Sequence, residues 1–425
     1  MRSFVPAAVW VLLCATASLA QQAPGFEALG SLGGGSTVAS SVQGISRDGR
    51  VIVGSALNTA QGRYEPVRWT AGAGFASLGF LTGHASGTAY DVNEDGSVIV
   101  GSLTRTTGGY TAFRWTASDG LKALTGLPSN VTGSIPYAVN RDGTVLAGVA
   151  YGTLSTSQGT RSASQVFLWT AAQGMVVLGE LPNACAGETD RSYGMDLSDD
   201  GSVLVGYSRS GTCRLEAFRW TLAGGFTTLG GLGGPSMNSA AEGISGDGSV
   251  VVGWGVTTGG SRASRWVDGQ IQDLGALPNP TGRASAATAC NADGRVVVGT
   301  SRVGAANTGF AWYHRYGMYD LQARLTALGV HAVAGWALTN ITGVSGDGSV
   351  IVGWGRDPQG RSSGFRITLP ACPNDANYDG SLDDTDYFEF LNAFFANDPA
   401  ADINHDNVVD GADFEDFVAG FVAGC

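Results

Sequence analysis

Apolar and polar residues alternate along most of this chain in short runs, the period of half-buried β-strands. The phrase GISRDGRVIVGS at Gly44–Ser55 joins the end of one apolar strand to a β-branched strand through a polar D-G turn. It returns as DVNEDGSVIVGS from Asp91, AVNRDGTVLAGV from Ala138, DLSDDGSVLVGY from Asp196, GISGDGSVVVGW from Gly243, ACNADGRVVVGT from Ala289 and GVSGDGSVIVGW from Gly343. Each copy predicts a β-hairpin, because Asp tolerates turn geometry and Gly supplies positive φ without a Cβ clash.

The turn aspartates Asp48, Asp95, Asp142, Asp200, Asp247, Asp293 and Asp347 stand 47, 47, 58, 47, 46 and 54 residues apart. A period of this size signals a solenoid or a propeller. A third strand ending in an aromatic follows each hairpin, as in PVRWT at Pro66 and AFRWT at Ala112 and Ala217, and a fourth carries Leu-Gly or a variant. Four strands per unit make a propeller blade. The seventh unit lacks its fourth strand, whereas GFEALGSLGG at Gly25–Gly34 is a fourth strand without its first three. The expected architecture is therefore an all-β, seven-bladed β-propeller over 25–370, closed by Phe26–Leu32 pairing with Gly364–Thr368.

The S-x-D-G-S-V-[IV]-V-G and F-R-W phrases resemble the extracellular HAF repeat, a family of short Gly-rich repeats in exported bacterial proteins. The resemblance implies the architecture and brings no catalytic residue.

Residues 372–425 change character. Asp375, Asn377, Asp379, Asp383 and Asp386 occupy positions 1, 3, 5, 9 and 12 of an EF-hand-type calcium loop, with Ser381 at the position that offers a backbone carbonyl. Asp402, Asn404, Asp406, Asp410 and Asp413, with Val408, repeat the pattern 27 residues later. One amphipathic helix is expected after each loop. The segment resembles a type I dockerin domain, a small α-helical, EF-hand-like module, which implies calcium as cofactor and a role in attachment or assembly. Asn407 replaces the usual Gly of the second loop, so that site should be weaker. Asp384-Thr385 and Gly411-Ala412 stand where cellulosomal dockerins often carry a Ser/Thr pair, which argues against a cellulosomal cohesin as the partner.

Residues 1–20 have Arg2, the apolar run Val5–Cys14 and a small-residue end at Ser18-Leu19-Ala20, which predicts a signal peptide and a secreted or cell-surface protein. No later stretch is apolar for long enough to span a membrane. A net charge of −12 and a pI near 4.7 argue against nucleic acid as a partner. The 66 glycines and a charged fraction of only 14% fit a turn-dense β chain.

Catalytic signatures are missing from the sequence: there are four histidines, no H-E-x-x-H, no P-loop and no paired C-x-x-C. The turn aspartates, third-strand arginines and third-strand tryptophans recur with the repeat and are expected to serve the fold. Asp91 and Asp196 break it, at a position four before the turn Asp that is otherwise Gly or Ala. They should border the central channel. Disulfides are expected between Cys185 and Cys213, across the fourth hairpin, and between Cys372 and Cys425, bracketing a small domain. Cys290 replaces an apolar inner-strand residue and should be a buried thiol.

Every long insertion, at Tyr151–Ser164, Pro182–Arg191 and Ala323–Thr339, falls in a connection opposite the D-G turns. A protein or polysaccharide ligand is expected on that face, at Arg161, Glu188, Asp190, Arg191, His331 and Trp336, with Trp336 as the platform. Two functions are compatible with the sequence: an exported, non-catalytic binding or scaffold protein, or a dockerin-bearing polysaccharide hydrolase or lyase. No acid/base pair of the kind glycosidases need can be picked out, which favours the first.

Overall fold

The computed structural model describes residues 23–32, 39–156, 159–182, 191–211, 213–236, 238–278, 284–314, 317–369, 384–396, 401 and 408–423. The chain divides into two units, Pro24–Leu369 and a second formed by Met1–Ala23 with Pro370–Cys425.

In the first unit the described strands form seven four-stranded antiparallel sheets, each a meander. Six use strands consecutive in sequence; blade one comprises Ser40–Ile45, Val51–Asn58, Arg63–Thr70 and Gly74–Ser77. The seventh joins Ala337–Val344, Val350–Arg356 and Ser362–Thr368 to the N-terminal strand Gly25–Ala28. Gly25 lies opposite Thr368 and Ala28 opposite Phe365, which is the expected clasp, with a shorter strand than expected. Its close is reinforced from blade one, whose Ser40 hydroxyl accepts the Gly364 N–H at 3.0 Å.

The recurring phrase is explained by its hydrogen bonds. In all seven hairpins the turn Asp carboxylate accepts the N–H two residues on, from Arg50, Ser97, Thr144, Ser202, Ser249, Arg295 and Ser349. The Ser or Asn two residues earlier accepts the N–H that starts the second strand, as Ser46 does from Val51 and Asn93 from Val98. These side chains satisfy backbone donors that the turn would otherwise bury unpaired. The turn aspartates thus serve the fold, as expected. The Gly beside each has positive φ, and at Gly96 (φ 75°) an added Cβ would lie 2.3 Å from Val51 Cγ2 of the preceding blade.

Every inner strand also carries a bulge one residue before the position of Asp91 and Asp196. The partner strand passes so close there that a Cβ on Gly54 would sit 2.0 Å from the Ser41 carbonyl oxygen, and one on Gly206 1.9 Å from that of Tyr193. Close backbone approach fixes the second Gly of the phrase.

Phe113, Phe167, Phe218, Phe310 and Phe365 are fully buried, and Trp69, Trp169, Trp266 and Trp312 nearly so, between adjacent blades. Two third-strand arginines cover the Trp of the next blade, Arg68 over Trp115 at 5.5 Å and Arg265 over Trp312 at 4.8 Å. Cys290 is buried and free. Cys213 is in the disulfide-bonded state; its expected partner Cys185, like Cys372 and Cys425, lies outside the described residues.

Two insertions differ from the loops expected. Tyr151–Ser164 continues the sheet of blade three, as strands Val145–Thr156 and Gly159–Thr170 with Leu154 opposite Arg161. Ala323–Thr339 is packed: helix α1 (Leu321–Ala327) is capped by Asp320, and a single 3-10 turn follows at His331–Val333. Leu321, Leu325, Val333 and Trp336 join Phe365 and Ile367 in one core.

In the second unit, helices α2 (Asp384–Phe395) and α3 (Gly411–Ala423) pack through stacked Phe390 and Phe417, ring centroids 3.9 Å apart.

Candidate functional site

The seven bulges decide what the centre of the ring presents. Gln43, Tyr90, Tyr137, Met195, Glu242, Thr288 and Thr342, one bulged residue per blade, all line a cavity of about 290 Å³ on the ring axis. Asp91 and Asp196 line it too. This ring lies one residue before the position of Asp91 and Asp196. Its signal was legible, since five residues before the turn Asp is the most varied position of an otherwise constant phrase.

Asp91 and Asp196 do the same job in two blades. Asp91 accepts the Val139 N–H at 2.8 Å from the next blade and the N–H of its neighbour Val92. Asp196 accepts from Ile244 of the next blade at 2.9 Å and from Leu197 at 2.8 Å. Burial pushes Asp91 up to about 7, assisted by the charge of Asp196, and Asp196 up to about 6. Both side chains keep part of their surface on the cavity, which tempers that desolvation. Glu242 is pushed up to about 7 by burial, against a hydrogen bond from Trp254.

Toward the turn face this cavity is lined by Arg47, Asn93, Glu94, Arg141 and Asp199. A girdle of backbone hydrogen bonds runs round the ring: Asp48 to Glu94, Glu94 to Arg141, Arg141 to Asp199, Asp199 to Gly246, Gly246 to Ala292, Ala292 to Gly346 and Gly346 to Arg47, each N–H to carbonyl. Inside it, Arg47 reaches Asp199 at 2.5 Å, while Arg141 pairs with Glu94 and lies 3.9 Å from Asp199. Both arginines are thereby committed. Among the described residues no cation is bonded to Asp91, Asp196 or Glu242, although the charge of Arg47 acts on both aspartates. Among the described residues no group of three or more His, Cys, Asp or Glu could hold a metal ion.

The opposite face carries a groove of about 620 Å³ between blades three and four, lined by Thr132, Tyr151, Gly152, Thr153, Ser162, Ala163, Ser164, Arg191 and Tyr193. Of the four residues expected to meet a ligand that are described, only Arg191 lines it. Arg161 is half-buried on the extended hairpin and His331 is exposed on its 3-10 turn. Glu188 and Asp190 lie outside the described residues. Trp336 is a correction: only 8% of it is exposed, and it meets Phe26 edge-on at 5.0 Å and Phe365 at 6.2 Å. An apolar ring following the buried Val333 completes the core beneath the clasp and offers no platform.

Of the residues expected to hold calcium, Asp386, Val408, Asp410 and Asp413 are described; Asp375, Asn377, Asp379, Ser381, Asp383, Asp402, Asn404 and Asp406 lie outside the described residues. Asp386 and Asp413, at the last loop positions, open α2 and α3 with no accessible surface. Asp413 accepts the Asp410 N–H at 2.9 Å. Carboxylates aimed inward at a helix start suit a hard cation held by oxygen ligands.

No family model and no curated relative matches the chain. Solved structures do. An oligogalacturonate lyase from Vibrio parahaemolyticus superposes with a TM-score of 0.52 at 10% identity, over 82% of this chain and 97% of that one. The β-propeller domain of the Trilobed protease from Pyrococcus furiosus gives 0.48 at 10%, over 78% and 95%. TolB from Acinetobacter baumannii gives 0.42 at 12%, over 63% of this chain and 62% of its own length. At 10% identity the likeness to the lyase is one of fold alone.

Proposed function

We propose that the chain is an exported, non-catalytic binding or scaffold protein. Its propeller meets a glycan or protein ligand on the face opposite the D-G turns, and its C-terminal segment is a calcium-binding, dockerin-like module for attachment or assembly. The observation that carries this reading is the contrast between the two faces. The turn face is bordered by a girdle of backbone bonds and by arginines held in ion pairs, whereas the other presents an open groove with aromatic, hydroxyl and guanidinium groups.

The hydrolase or lyase reading needs carboxylates free to act as acid, base or nucleophile. Asp91 and Asp196, the two acids that break the repeat, each hold two backbone N–H groups and tie one blade to the next. In the second unit, calcium would be held by the two acidic loops, and it would neutralise carboxylates that otherwise repel one another. The N-terminal twenty residues support export.

A glycan and protein-ligand screen of the full chain, run beside an assay for reducing ends released from polysaccharides, tests the reading. Binding without turnover is expected. Turnover that Asp91→Ala and Asp196→Ala both abolish would replace it with the catalytic one.

A further inference from the structure

Six tyrosines gather on blades two to four. Tyr90 and Tyr137 line the central cavity and meet edge-on at 5.2 Å. Tyr137 lies within electrostatic reach of Tyr151, which lines the groove and packs at 5.8 Å on Tyr110. Tyr193, also of the groove, stacks on Tyr207 at 5.1 Å. Tyr207 in turn lies within electrostatic reach of Glu242, on the cavity wall. The cluster thus links the groove to the cavity.

None of it is required by the repeat. The counterparts of Tyr90 and Tyr137 are Gln43, Met195, Glu242, Thr288 and Thr342, and those of Tyr207 include Ser55, Ser102 and Thr300. The five other than Tyr110 are half-buried, and Tyr110 is 38% exposed, so each keeps ring or hydroxyl surface available. A fold would bury Phe or Leu at such positions more cheaply; phenols on an accessible wall provide flat apolar faces and hydrogen-bonding edges together.

We propose that this tyrosine wall is a binding site for the end of a neutral oligosaccharide, entering by the groove between blades three and four and reaching into the central cavity. The inference rests on the binding-module reading above. The chemistry is complementary at each level. Aromatic faces at Tyr151 and Tyr193 meet the C–H face of a pyranose ring. The hydroxyls of Thr132, Thr153 and Ser162 border the groove and exchange hydrogen bonds with sugar hydroxyls. Deeper, Glu242 borders the cavity and offers acceptor oxygens to a polyhydroxylated guest that carries no charge of its own.

The test is isothermal titration of the full chain with neutral cello-, xylo-, manno- and galacto-oligosaccharides, and with choline as a cationic probe. At least one neutral series is expected to bind. Tyr151→Ala and Tyr193→Ala should each weaken it by about tenfold or more. Tyr137→Phe, which keeps the ring and the fold, should weaken it several-fold, and Arg50→Ala on the turn face should leave it unchanged. Neutral-sugar binding that survives all three tyrosine changes would overturn this site while leaving the binding-module reading standing. Binding of choline alone, or of no neutral oligosaccharide, would overturn the site outright.

Discussion

Gly346 donates its backbone N–H to the carbonyl oxygen of Arg47 at 2.8 Å, joining the last blade to the first. An equivalent bond is made between every other pair of neighbouring blades in the same rotational sense, blade one donating from Asp48, one residue later than the rest. Closure of the ring is therefore achieved twice, by the β clasp at its outer edge and by the girdle at its inner edge. A ring closed at both radii leaves only the short outer strand of each blade as an edge, and it can carry an inner strand whose bulged residue varies freely.

Phe26 is the side chain through which the clasp reaches the core, between Trp336 and Phe365. Phe26→Ala should lower stability by about 2 kcal/mol, less than the roughly 3–5 kcal/mol of a fully buried Phe because it is half exposed. Trp336→Ala should cost about 3–5 kcal/mol. Urea unfolding followed by tryptophan fluorescence for Phe26→Ala, and by circular dichroism for both, reads these shifts. An unchanged midpoint for both would mean that the clasp adds nothing to stability.

Gly72 and Gly96 share a left-handed φ, 78° and 75°, but not the same surroundings: nothing lies within 4 Å of an added Cβ at Gly72, whereas Val51 blocks one at Gly96. Gly72→Ala should cost only the conformational penalty of about 1–2 kcal/mol. Gly96→Ala should cost a further 1–3 kcal/mol or so from overpacking. Chemical denaturation of the two variants side by side decides this, and equal losses would mean that the Val51 contact yields freely.

The blades and their permutation were legible because hairpin phrases obey local rules of period and turn chemistry. What could not be read were contacts made across blades or within insertions. The fate of Trp336 depends on Phe26, some three hundred residues earlier, and the groove at Tyr151 and Tyr193 forms only where two blades meet. The bulge hid the channel ring: strict alternation through the inner strand misplaces Tyr90, Tyr137 and Glu242, whose side chains reach the cavity because a residue is inserted there.

Calcium titration of the full chain should reveal two sites of unequal affinity, the weaker in the loop that carries Asn407. Asp386→Ala should abolish the first and Asp413→Ala the second, since a calcium loop depends on its twelfth position. Helicity should fall on chelation. Two sites that survive both substitutions, or the absence of any calcium heat, would remove the dockerin-like module from the proposal.

Glu242 sets the last expectation, which concerns pH. Its carboxyl, ordinarily near 4.5, is pushed up to about 7 by burial, so the folded chain holds this proton more tightly than the unfolded chain. Between these values the native state carries more protons, and stability must fall as pH rises through the window. Asp91 and Asp196, raised from 3.8 to about 7 and about 6, act in the same sense. The turn aspartates act in the opposite sense. Asp95 and Asp200 are held below 3.8, chiefly by hydroxyls of their own turns, and their contribution is lost only as pH falls below that range. Stability should therefore peak on the acid side of neutrality, near pH 4–5, and decline toward pH 8. Glu242→Gln keeps an acceptor for the Trp254 indole and removes the charge. It should raise stability at pH 8 by about 1–3 kcal/mol, the upper figure discounted because the side chain borders the cavity, and change little at pH 4.5. Urea midpoints at the two pH values measure the difference. A gain of equal size at both, or none at pH 8, would show that burial of Glu242 does not set the slope.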